Sequence, residues 1–287
     1  MNGKKNAIVT GASRGFGLLI SIELAKKGYS VTAAMRDKSS SADLLKQAEE
    51  SGAGDMITLL ELDVASEESI LSFRSFLKDL GSVDLLVNNA GFAGAGFAEE
   101  VDLAHYRSQF ETNVFGVFAV TQAVLPYMRK QKRGRIINIS SISGKMGFPG
   151  LSPYVASKHA VEGWSESLRL EMKPFNVDVV LIEPGSYNTG IWSKGKKVAN
   201  RSLQPDSPYY RYYSQLENYL SRSSDKYGDP LEVAELCGRI AGKKKTRLRY
   251  PVGKGTAFTL KLKNTIGWRN WERLFWRILS NEKQVNR

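Results

Sequence analysis

Short, mostly apolar runs alternate with amphipathic stretches along most of this 287-residue chain. Short apolar runs are typical of buried strands, and apolar residues at three- and four-residue spacing are typical of helices. Strands are predicted at residues 6–10, 29–35, 57–62, 84–87, 135–139, 177–182 and 248–252. Helices are predicted at residues 18–28, 42–50, 67–80, 103–132 and 154–174. Such alternation forces parallel pairing through right-handed crossovers, so we expect a doubly wound α/β domain around a seven-stranded, mostly parallel sheet.

The composition fits one large domain of this kind, because 42% of the residues are hydrophobic. Cys237 is the single cysteine, so an internal disulfide cannot form and a reducing compartment is expected. No apolar run approaches the roughly 20 residues of a membrane span. The polar residues 1–5 lead directly into the first strand and leave no room for a signal peptide. We therefore expect a cytoplasmic protein.

One internal segment, residues 186–228, has no strong periodicity and holds seven of the twelve tyrosines. A segment of this length in a compact domain is usually a lid or a binding segment. Tyrosine combines a broad apolar face with a polar tip, which suits a bulky lipophilic ligand. The alternative is a helix that lays these tyrosines on the core.

Positive charge is concentrated at the carboxyl end. Residues 241–287 contain 13 Lys or Arg and 2 Glu, a balance of +11 within a total of +12. The extension at residues 256–287 includes an apolar helical stripe flanked by arginines. The stripe consists of Trp268, Trp271, Phe275 and Ile278. This helix is expected to dock on its own subunit or a twin and cover a site, or to contact an anionic membrane surface peripherally. Charge without a recognition motif does not predict nucleic-acid binding.

A glycine-rich turn follows the first predicted strand. Gly11, Gly15 and Gly17 lie between that strand and the first helix. Glycines there let the backbone turn tightly and approach a pyrophosphate, whose charge is received by the N–H groups and the positive dipole of the helix start. The turn therefore indicates a dinucleotide site, although glycine clusters also serve ordinary turns.

Tyr154 and Lys158 lie one helical turn apart, and Tyr154 follows Ser141 by thirteen residues. An ammonium on the same helix face can stabilise the phenolate and lower a tyrosine pKa from about 10 towards neutrality. We therefore expect Tyr154 to act as a general acid/base. An isolated Tyr-x-x-x-Lys pattern is common on ordinary helices, so this prediction depends on the accompanying motifs.

The accompanying motifs occur in the order of one known family. They are Asn88-Asn89-Ala90-Gly91, Asn113, Ser140-Ser141 and Pro184-Gly185 with Thr189. Over about residues 4–255 the chain resembles the short-chain dehydrogenases/reductases, and Glu183 to Gly190 is similar to the same stretch of retinol and hydroxysteroid dehydrogenases. The resemblance implies a Rossmann fold over residues 1–255, a nicotinamide dinucleotide cofactor, and a homodimer or homotetramer.

The resemblance also implies residue roles. The implied catalytic residues are Asn113, Ser141, Tyr154 and Lys158. The implied cofactor-binding residues are Gly11, Ser13, Arg14, Gly15, Phe16, Gly17, Arg36, Asp63, Val64, Asn89, Ala90, Gly91, Tyr154, Lys158, Pro184, Gly185 and Thr189. Tyr154 and Ser141 would bind the substrate oxygen, and Lys158 would bind the nicotinamide ribose. Asn113 would hold a water of a proton relay, or simply mark a helix kink. No metal site is predicted, since His105 and His159 lack partners at ligand spacing.

Cofactor choice depends on the end of the second strand. A guanidinium there pairs with the 2′-phosphate of NADP, whereas a carboxylate holds the ribose hydroxyls of NAD. Met35 takes the position of the discriminating carboxylate and Arg36 follows, with Arg14 as a second cation, so NADP(H) is favoured. Asp37 leaves NAD(H) open, because a shift of one residue would bring it forward. Asp63, with Val64, is either an adenine contact or a turn residue.

The resemblance implies an NADP(H)-dependent oxidoreductase that interconverts a secondary or primary alcohol and its ketone or aldehyde. The substrate is expected to be bulky and lipophilic. The alternative is a catalytically weak nucleotide-binding or membrane-docked interaction protein on the same fold.

Overall fold

The computed structural model describes residues 4–191, 195–222 and 227–280. The main strands are β1 (Lys5–Thr10), β2 (Tyr29–Met35), β3 (Ile57–Glu61), β4 (Leu85–Asn88), β6 (Gly134–Ile139), β7 (Val177–Pro184) and β9 (Arg249–Val252). They form a seven-stranded sheet in the order β3-β2-β1-β4-β6-β7-β9, in which every pairing is parallel. The predicted fold is therefore confirmed. Two further strands, β5 (Ala93–Ala95) and β8 (Lys196–Val198), form a small parallel sheet that was not predicted.

Helices follow the strands in the alternating order that the sequence predicts. They are α1 (Gly15–Lys26), α2 (Ala42–Glu50), α3 (Glu67–Leu80), α4 (Leu103–Phe110), α5 (Gly116–Gln131), α6 (Ser152–Met172), α7 (Tyr210–Arg222), α8 (Leu231–Ala241), α9 (Thr256–Thr265) and α10 (Trp268–Ser280). The predicted bounds of α2 and α3 are those observed. Prediction succeeded here because both helices carry a clear apolar stripe on a polar background.

Apolar side chains cover both faces of the main sheet. Leu24, Leu44 and Val233 belong to the core on one face. Phe73 and Val124 belong to the core on the other. Strands buried on both faces read as continuous apolar runs, and all four residues of β4 are buried. Polar side chains are therefore concentrated at the strand ends, where the carboxyl edge of the sheet forms a ligand site in folds of this type.

The long helix predicted at residues 103–132 is interrupted. Residues Glu111–Phe115 form a π-helical turn between α4 and α5. Asn113 is buried at the centre of this turn, and its side chain binds the backbone of Phe92. A π-turn widens the helix and turns a side chain away from the regular surface, which is why such turns often occur at functional sites.

The extension after β9 packs on its own subunit. Trp271 of α10 is 8% exposed and shares an apolar cluster with Met146 and with Leu260 of α9. Trp276 stacks on Tyr212 of α7, with ring centres 5.4 Å apart. Docking, one of the two expectations for this helix, is therefore what the structure contains. Among the residues described, no helix combines the length and the apolar character needed to cross a bilayer.

Candidate active site

The glycine-rich turn lies between β1 and α1, at the carboxyl end of the sheet. Gly11 and Gly15 have φ angles of +65° and +57°, a conformation that other residues rarely adopt. A Cβ atom on Gly17 would lie 2.3 Å from the carbonyl oxygen of Gly11, so a larger residue does not fit there. Because glycine has no side chain, the glycines of the turn do not cover the N-terminus of α1. This geometry fits a bound pyrophosphate.

The residues after β4 hold the turn in position. Asn89 Nδ2 donates hydrogen bonds to the carbonyl oxygens of Thr10 and Gly11 at 3.0 Å and 3.1 Å. Thr10 Oγ1 accepts hydrogen bonds from the backbone N–H groups of Asn89 and Ala90, both at 3.0 Å. A Cβ on Gly11 would lie 2.8 Å from Ala90 Cα. The structure therefore brings together the two segments that the sequence assigned to the dinucleotide.

A cavity adjoins this turn, and Ser141, Tyr154 and Lys158 line it. Ser141 follows β6, whereas Tyr154 and Lys158 lie in the first turns of α6. All three side chains are buried, and Ser141 forms a hydrogen bond with the phenol of Tyr154. Other predicted residues in the cavity wall are Phe16, Asn89, Gly91, Asn113, Pro184, Gly185 and Thr189. The predicted catalytic residues thus share one cavity with six further predicted cofactor residues.

Backbone groups orient Lys158 and Asn113. Lys158 Nζ donates a 2.7 Å hydrogen bond to the carbonyl oxygen of Ile139, the last residue of β6. Asn113 Oδ1 accepts from the N–H of Phe92 at 3.1 Å, and Asn113 Nδ2 donates to Phe92 O at 3.0 Å and Ser157 Oγ at 3.3 Å. Ser157 in turn donates to the carbonyl oxygen of Tyr154 at 2.7 Å. The π-turn is therefore connected directly to the helix turn that carries the tyrosine.

The pKa of Tyr154 differs from the sequence-based expectation. Burial raises this pKa to about 12, and the hydrogen bond with Ser141 offsets only part of the rise. The expected lowering by Lys158 is not seen. The Lys158 ammonium lies 5.7 Å from the Tyr154 ring centre and is bound to Ile139, and burial lowers the pKa of Lys158 itself to about 8. Both side chains are buried in surroundings of low polarity, and such surroundings favour the neutral form of each group.

Strand β2 ends at Met35, the residue at which the sequence predicts that it ends. Met35 is the last residue of β2 and pairs with Glu61 of β3. Arg36 follows directly and is exposed. Asp37 accepts hydrogen bonds from the backbone N–H and the hydroxyl of Ser39, at 2.8 Å and 2.6 Å. The carboxylate of Asp37 therefore caps the short helical turn that begins after it.

The remaining predicted cofactor residues lie at neighbouring strand ends. A Cβ on Gly15 would lie 3.0 Å from the carbonyl oxygen of Thr189, so the glycine turn also approaches the segment after β7. Asp63 Oδ1 accepts a 3.0 Å hydrogen bond from Ala65 N, which is the turn role that the sequence left open for it. Val64 is buried against Gly116 of α5. Two predicted residues, Ser13 and Arg14, lie in the turn itself outside the cavity wall.

Five residues of the cavity wall were not among the predicted site residues, although Ser140 belongs to the Ser140-Ser141 motif. They are Phe92, Ile139, Ser140, Tyr187 and Ile191. Ile139 and Ser140 end β6 and follow it, so strand position alone could have indicated them. Tyr187 is one of the seven tyrosines of residues 186–228, and its hydroxyl donates a 2.6 Å hydrogen bond to Glu232 of α8. Nothing in the sequence near Phe92 signals that its backbone holds Asn113.

Other tyrosines of residues 186–228 pack on the protein. Tyr209 stacks on Phe97 with ring centres 4.5 Å apart, and Tyr212 packs against the same ring at a tilt, with ring centres 5.0 Å apart. Tyr213 contacts Lys196 of β8, and this lysine also pairs with Glu217. Tyr219 lies in α7, and its side chain is outside the described residues. The described parts of this segment include β8 and α7, and aromatic contacts pack α7 against Phe97.

The parallel sheet, the glycine turn and the buried serine, tyrosine and lysine define a nucleotide-dependent oxidoreductase of the Rossmann type. The chain belongs to the short-chain dehydrogenase family, since residues 5–199 match the family described as short chain dehydrogenase. Members of this family use nicotinamide dinucleotides.

Individual relatives agree with this assignment. The chain is 48% identical to the uncharacterized oxidoreductase YusZ of Bacillus subtilis over 94% of this chain and 96% of that protein. It is 33% identical to bovine retinol dehydrogenase 8 over 85% of this chain and 80% of that protein. A short-chain dehydrogenase of Streptomyces avermitilis has a similar structure, with a TM-score of 0.80, 31% identity and coverage of 98% and 99% of the two chains.

Proposed function

We propose that this protein is an NADP(H)-dependent oxidoreductase that interconverts a secondary or primary alcohol and its ketone or aldehyde, with Tyr154 as the general acid/base. The observation that carries the proposal is the position of Ser141, Tyr154 and Lys158 in the wall of one cavity beside the glycine turn. A proton donor, an oxygen-binding hydroxyl and a cation are the groups that a carbonyl reduction requires.

Each side chain has a distinct task in the proposed reaction. When bound, the nicotinamide supplies the hydride for reduction or accepts it during oxidation. Ser141 and Tyr154 hold the substrate oxygen, and Tyr154 donates its proton as negative charge develops on that oxygen. The raised pKa of Tyr154 keeps the phenol neutral at physiological pH, which is the form that reduction needs. Lys158 binds the nicotinamide ribose and places positive charge near the phenol.

The residues after β2 support NADP(H) over NAD(H). Arg36 directly follows the strand and is exposed, and Arg14 is also exposed in the glycine turn. Guanidinium groups in these positions suit a 2′-phosphate. Asp37, the residue that kept NAD(H) open, has both carboxylate oxygens bound by Ser39. A carboxylate held in this way is less suited to binding two ribose hydroxyls.

A bulky lipophilic substrate is supported by the apolar cluster next to the catalytic serine. Met146 follows the turn after Ser141 and packs against Trp271 of the extension, and Phe148 lies at the edge of the same cluster. We infer that the described parts of residues 186–228 and of the extension at 256–287 together cover the substrate side of the cavity. Retinol dehydrogenase 8, one of the relatives, is named for an alcohol of this chemical kind.

The covering role is favoured here over peripheral membrane contact, because the Trp271 face of α10 is already occupied by its own subunit. Membrane contact could then use only the outward face, where Trp268 is 65% exposed.

We propose a homodimer or homotetramer as the assembly, which light scattering of the full chain would measure.

The proposed function is tested by NADPH oxidation with a panel of aldehydes, ketones and retinoids. We expect turnover of bulky apolar carbonyls at higher kcat/KM than of short polar ones. NADPH binding without turnover of any of these compounds would instead favour a nucleotide-binding interaction protein. Higher kcat/KM with NADH than with NADPH would overturn the cofactor assignment.

A further inference from the structure

A cluster of buried charges lies behind the predicted catalytic lysine. Glu162 is one helical turn after Lys158 in α6, Glu183 is in β7, and Arg249 is in the adjacent strand β9. The side chains of Glu162 and Glu183 are 4% and 1% exposed. Arg249 Nε lies 2.8 Å from Glu162 Oε2 and 3.2 Å from Glu183 Oε1. One guanidinium therefore faces two carboxyl groups that solvent does not reach.

Within the cluster, the two buried carboxyl groups compete for one guanidinium. Arg249 also binds Glu166 through its other end, at 2.6 Å, although the Glu166 side chain is 53% exposed and partly hydrated. Glu162 and Glu183 are in hydrogen-bonding contact with each other. Among the residues described, Glu162 Oε1 has no hydrogen-bond partner, and the 3.2 Å approach of Arg249 Nε to Glu183 Oε1 lacks the geometry of a hydrogen bond. A proton held between the two carboxyl groups would satisfy both oxygens and remove one of the two buried negative charges.

The turn that contains Gly144 packs against α6 between Lys158 and Glu162. A Cβ on Gly144 would lie 2.9 Å from Glu162 Cγ and 3.2 Å from the carbonyl oxygen of Lys158. Glycine therefore allows the turn after Ser141 to pack directly on the α6 segment that carries both side chains. The negative charge of Glu162 opposes the effect of burial on Lys158 and raises the pKa of the lysine.

We propose that Glu162 and Glu183 share one proton and act as positioning residues that keep the ammonium group of Lys158 charged. The inference rests on the proposed role of Lys158 in cofactor binding and proton transfer. Neither glutamate is placed in contact with substrate or dinucleotide. Both would act only through the charge of the lysine.

The direction of titration suits this role. Burial and the charge of Glu162 raise the pKa of Glu183 to about 7, with Arg249 and Lys145 opposing part of the rise. The groups that face Glu183 thus include two cations as well as the carboxyl of Glu162. The glutamate pair gains a negative charge as pH rises through about 7, which is just below the pH at which burial would discharge Lys158, with its pKa of about 8. The added charge extends the pH range of the ammonium form.

Three isosteric variants test the proposal through the pH profile of kcat/KM for NADPH. In Glu162→Gln, we expect the alkaline limb of the profile to move to lower pH by about 1 unit. In Glu183→Gln, the same limb should move in the same direction by a smaller amount. Glu166→Gln is the matched control. Glu166 lies on the same helix as Glu162 and also binds Arg249, but it is two helical turns from Lys158 instead of one. The pH profile of Glu166→Gln should not move. An unchanged limb in both Glu162→Gln and Glu183→Gln would overturn the proposal.

A second measurement is independent of catalysis and uses Glu183→Gln alone. The folded-state pKa of Glu183 is raised above its ordinary value of 4.5. Its stabilising contribution is therefore present below pH 4.5 and lost as pH rises towards about 7. The Tm of Glu183→Gln relative to the unaltered protein should rise from pH 5 to pH 8. A difference that stays constant over this range would exclude the shared proton. Full activity of Tyr154→Phe, in contrast, would overturn the proposed function and not the proton sharing.

Discussion

The ammonium nitrogen of Lys158 lies 5.7 Å from the ring centre of Tyr154, and both side chains line one cavity. Helical spacing places the two residues on one face of α6. The exact position of the ammonium is set by a different element, since it donates its hydrogen bond to Ile139 at the end of β6. Two elements, α6 and β6, therefore fix the relative position of the two side chains. A fixed geometry of this kind favours proton transfer, because the groups need little rearrangement to react.

Replacement of Tyr154 by phenylalanine should remove activity while the fold is kept. The change deletes one buried hydroxyl and the proton that we assign to it. Loss of a positioned acid/base group lowers kcat by about 10²–10⁴-fold. NADPH binding, measured by fluorescence, should be retained. Tyr106→Phe is the control, because that hydroxyl binds Ser152 at the start of α6 and lies outside the cavity wall; activity near that of the unaltered protein is expected.

The kcat/KM for NADPH should fall as pH rises through about 8, where Lys158 loses its proton. This parameter reports the ionisations of the enzyme before it binds the dinucleotide. Below the lysine pKa the cation is present to bind the ribose, and above it the neutral amine binds less well. A profile from pH 6 to pH 10 measures the midpoint. Constant kcat/KM up to pH 10 would show that the charge of Lys158 is not needed.

Arg36→Ala should weaken NADPH binding far more than NADH binding. Hydrogen bonds to charged groups contribute about 1.5–3 kcal/mol each, so we expect the Kd for NADPH to rise by about 10- to 100-fold. Asp37→Asn serves as the control, since Asp37 caps the next turn through Ser39. Its Kd values for both cofactors should change little. Equal weakening of NADPH and NADH in Arg36→Ala would contradict the 2′-phosphate role.

Gly17→Ala should reduce both stability and dinucleotide binding. The added Cβ would lie 2.3 Å from Gly11 O and 2.5 Å from Asn89 Nδ2, so the turn must shift. We expect the free energy of unfolding to fall by about 1–3 kcal/mol. Gly163→Ala is a matched change in α6 with no atom within 4 Å of the new Cβ. It should be neutral or stabilise the protein by up to about 1 kcal/mol, as chemical denaturation would measure.

Trp271→Ala should destabilise the protein by about 3–5 kcal/mol, because this side chain fills an apolar cluster with Met146 and Leu260. The KM for a bulky substrate should also rise if the extension covers the cavity. Trp268→Ala, at a side chain that is 65% exposed, is the control and should change the Tm little. If only Trp268→Ala reduced co-sedimentation with anionic vesicles, the outward face of α10 would have a membrane role.

Much of the fold could be predicted because periodicity is a local property. The strands are buried on both faces, so they read as apolar runs, and α2 and α3 have one clear apolar stripe each. Prediction failed where a distant partner intervenes. The π-turn at Glu111–Phe115 is associated with the hydrogen bonds between Asn113 and Phe92, which lie in separate segments. The β5 and β8 pair joins two short segments that carry no apolar run long enough to be noticed.

For the site, the amino-acid order alone was sufficient to place Tyr154 and Lys158 on one helix face and to put Ser141 and the glycine turn at strand ends. Parallel strands bring such ends to one edge, which is why these residues share a cavity. The protonation preferences could not be read in the same way. They depend on burial and on groups from other elements. Packing placed Glu162, Glu183 and Arg249 close to one another behind Lys158. Burial also raised the pKa of Tyr154, which the sequence had predicted to fall. Desolvation and long-range charge contacts arise only when the layers pack together, so neither is visible along the chain.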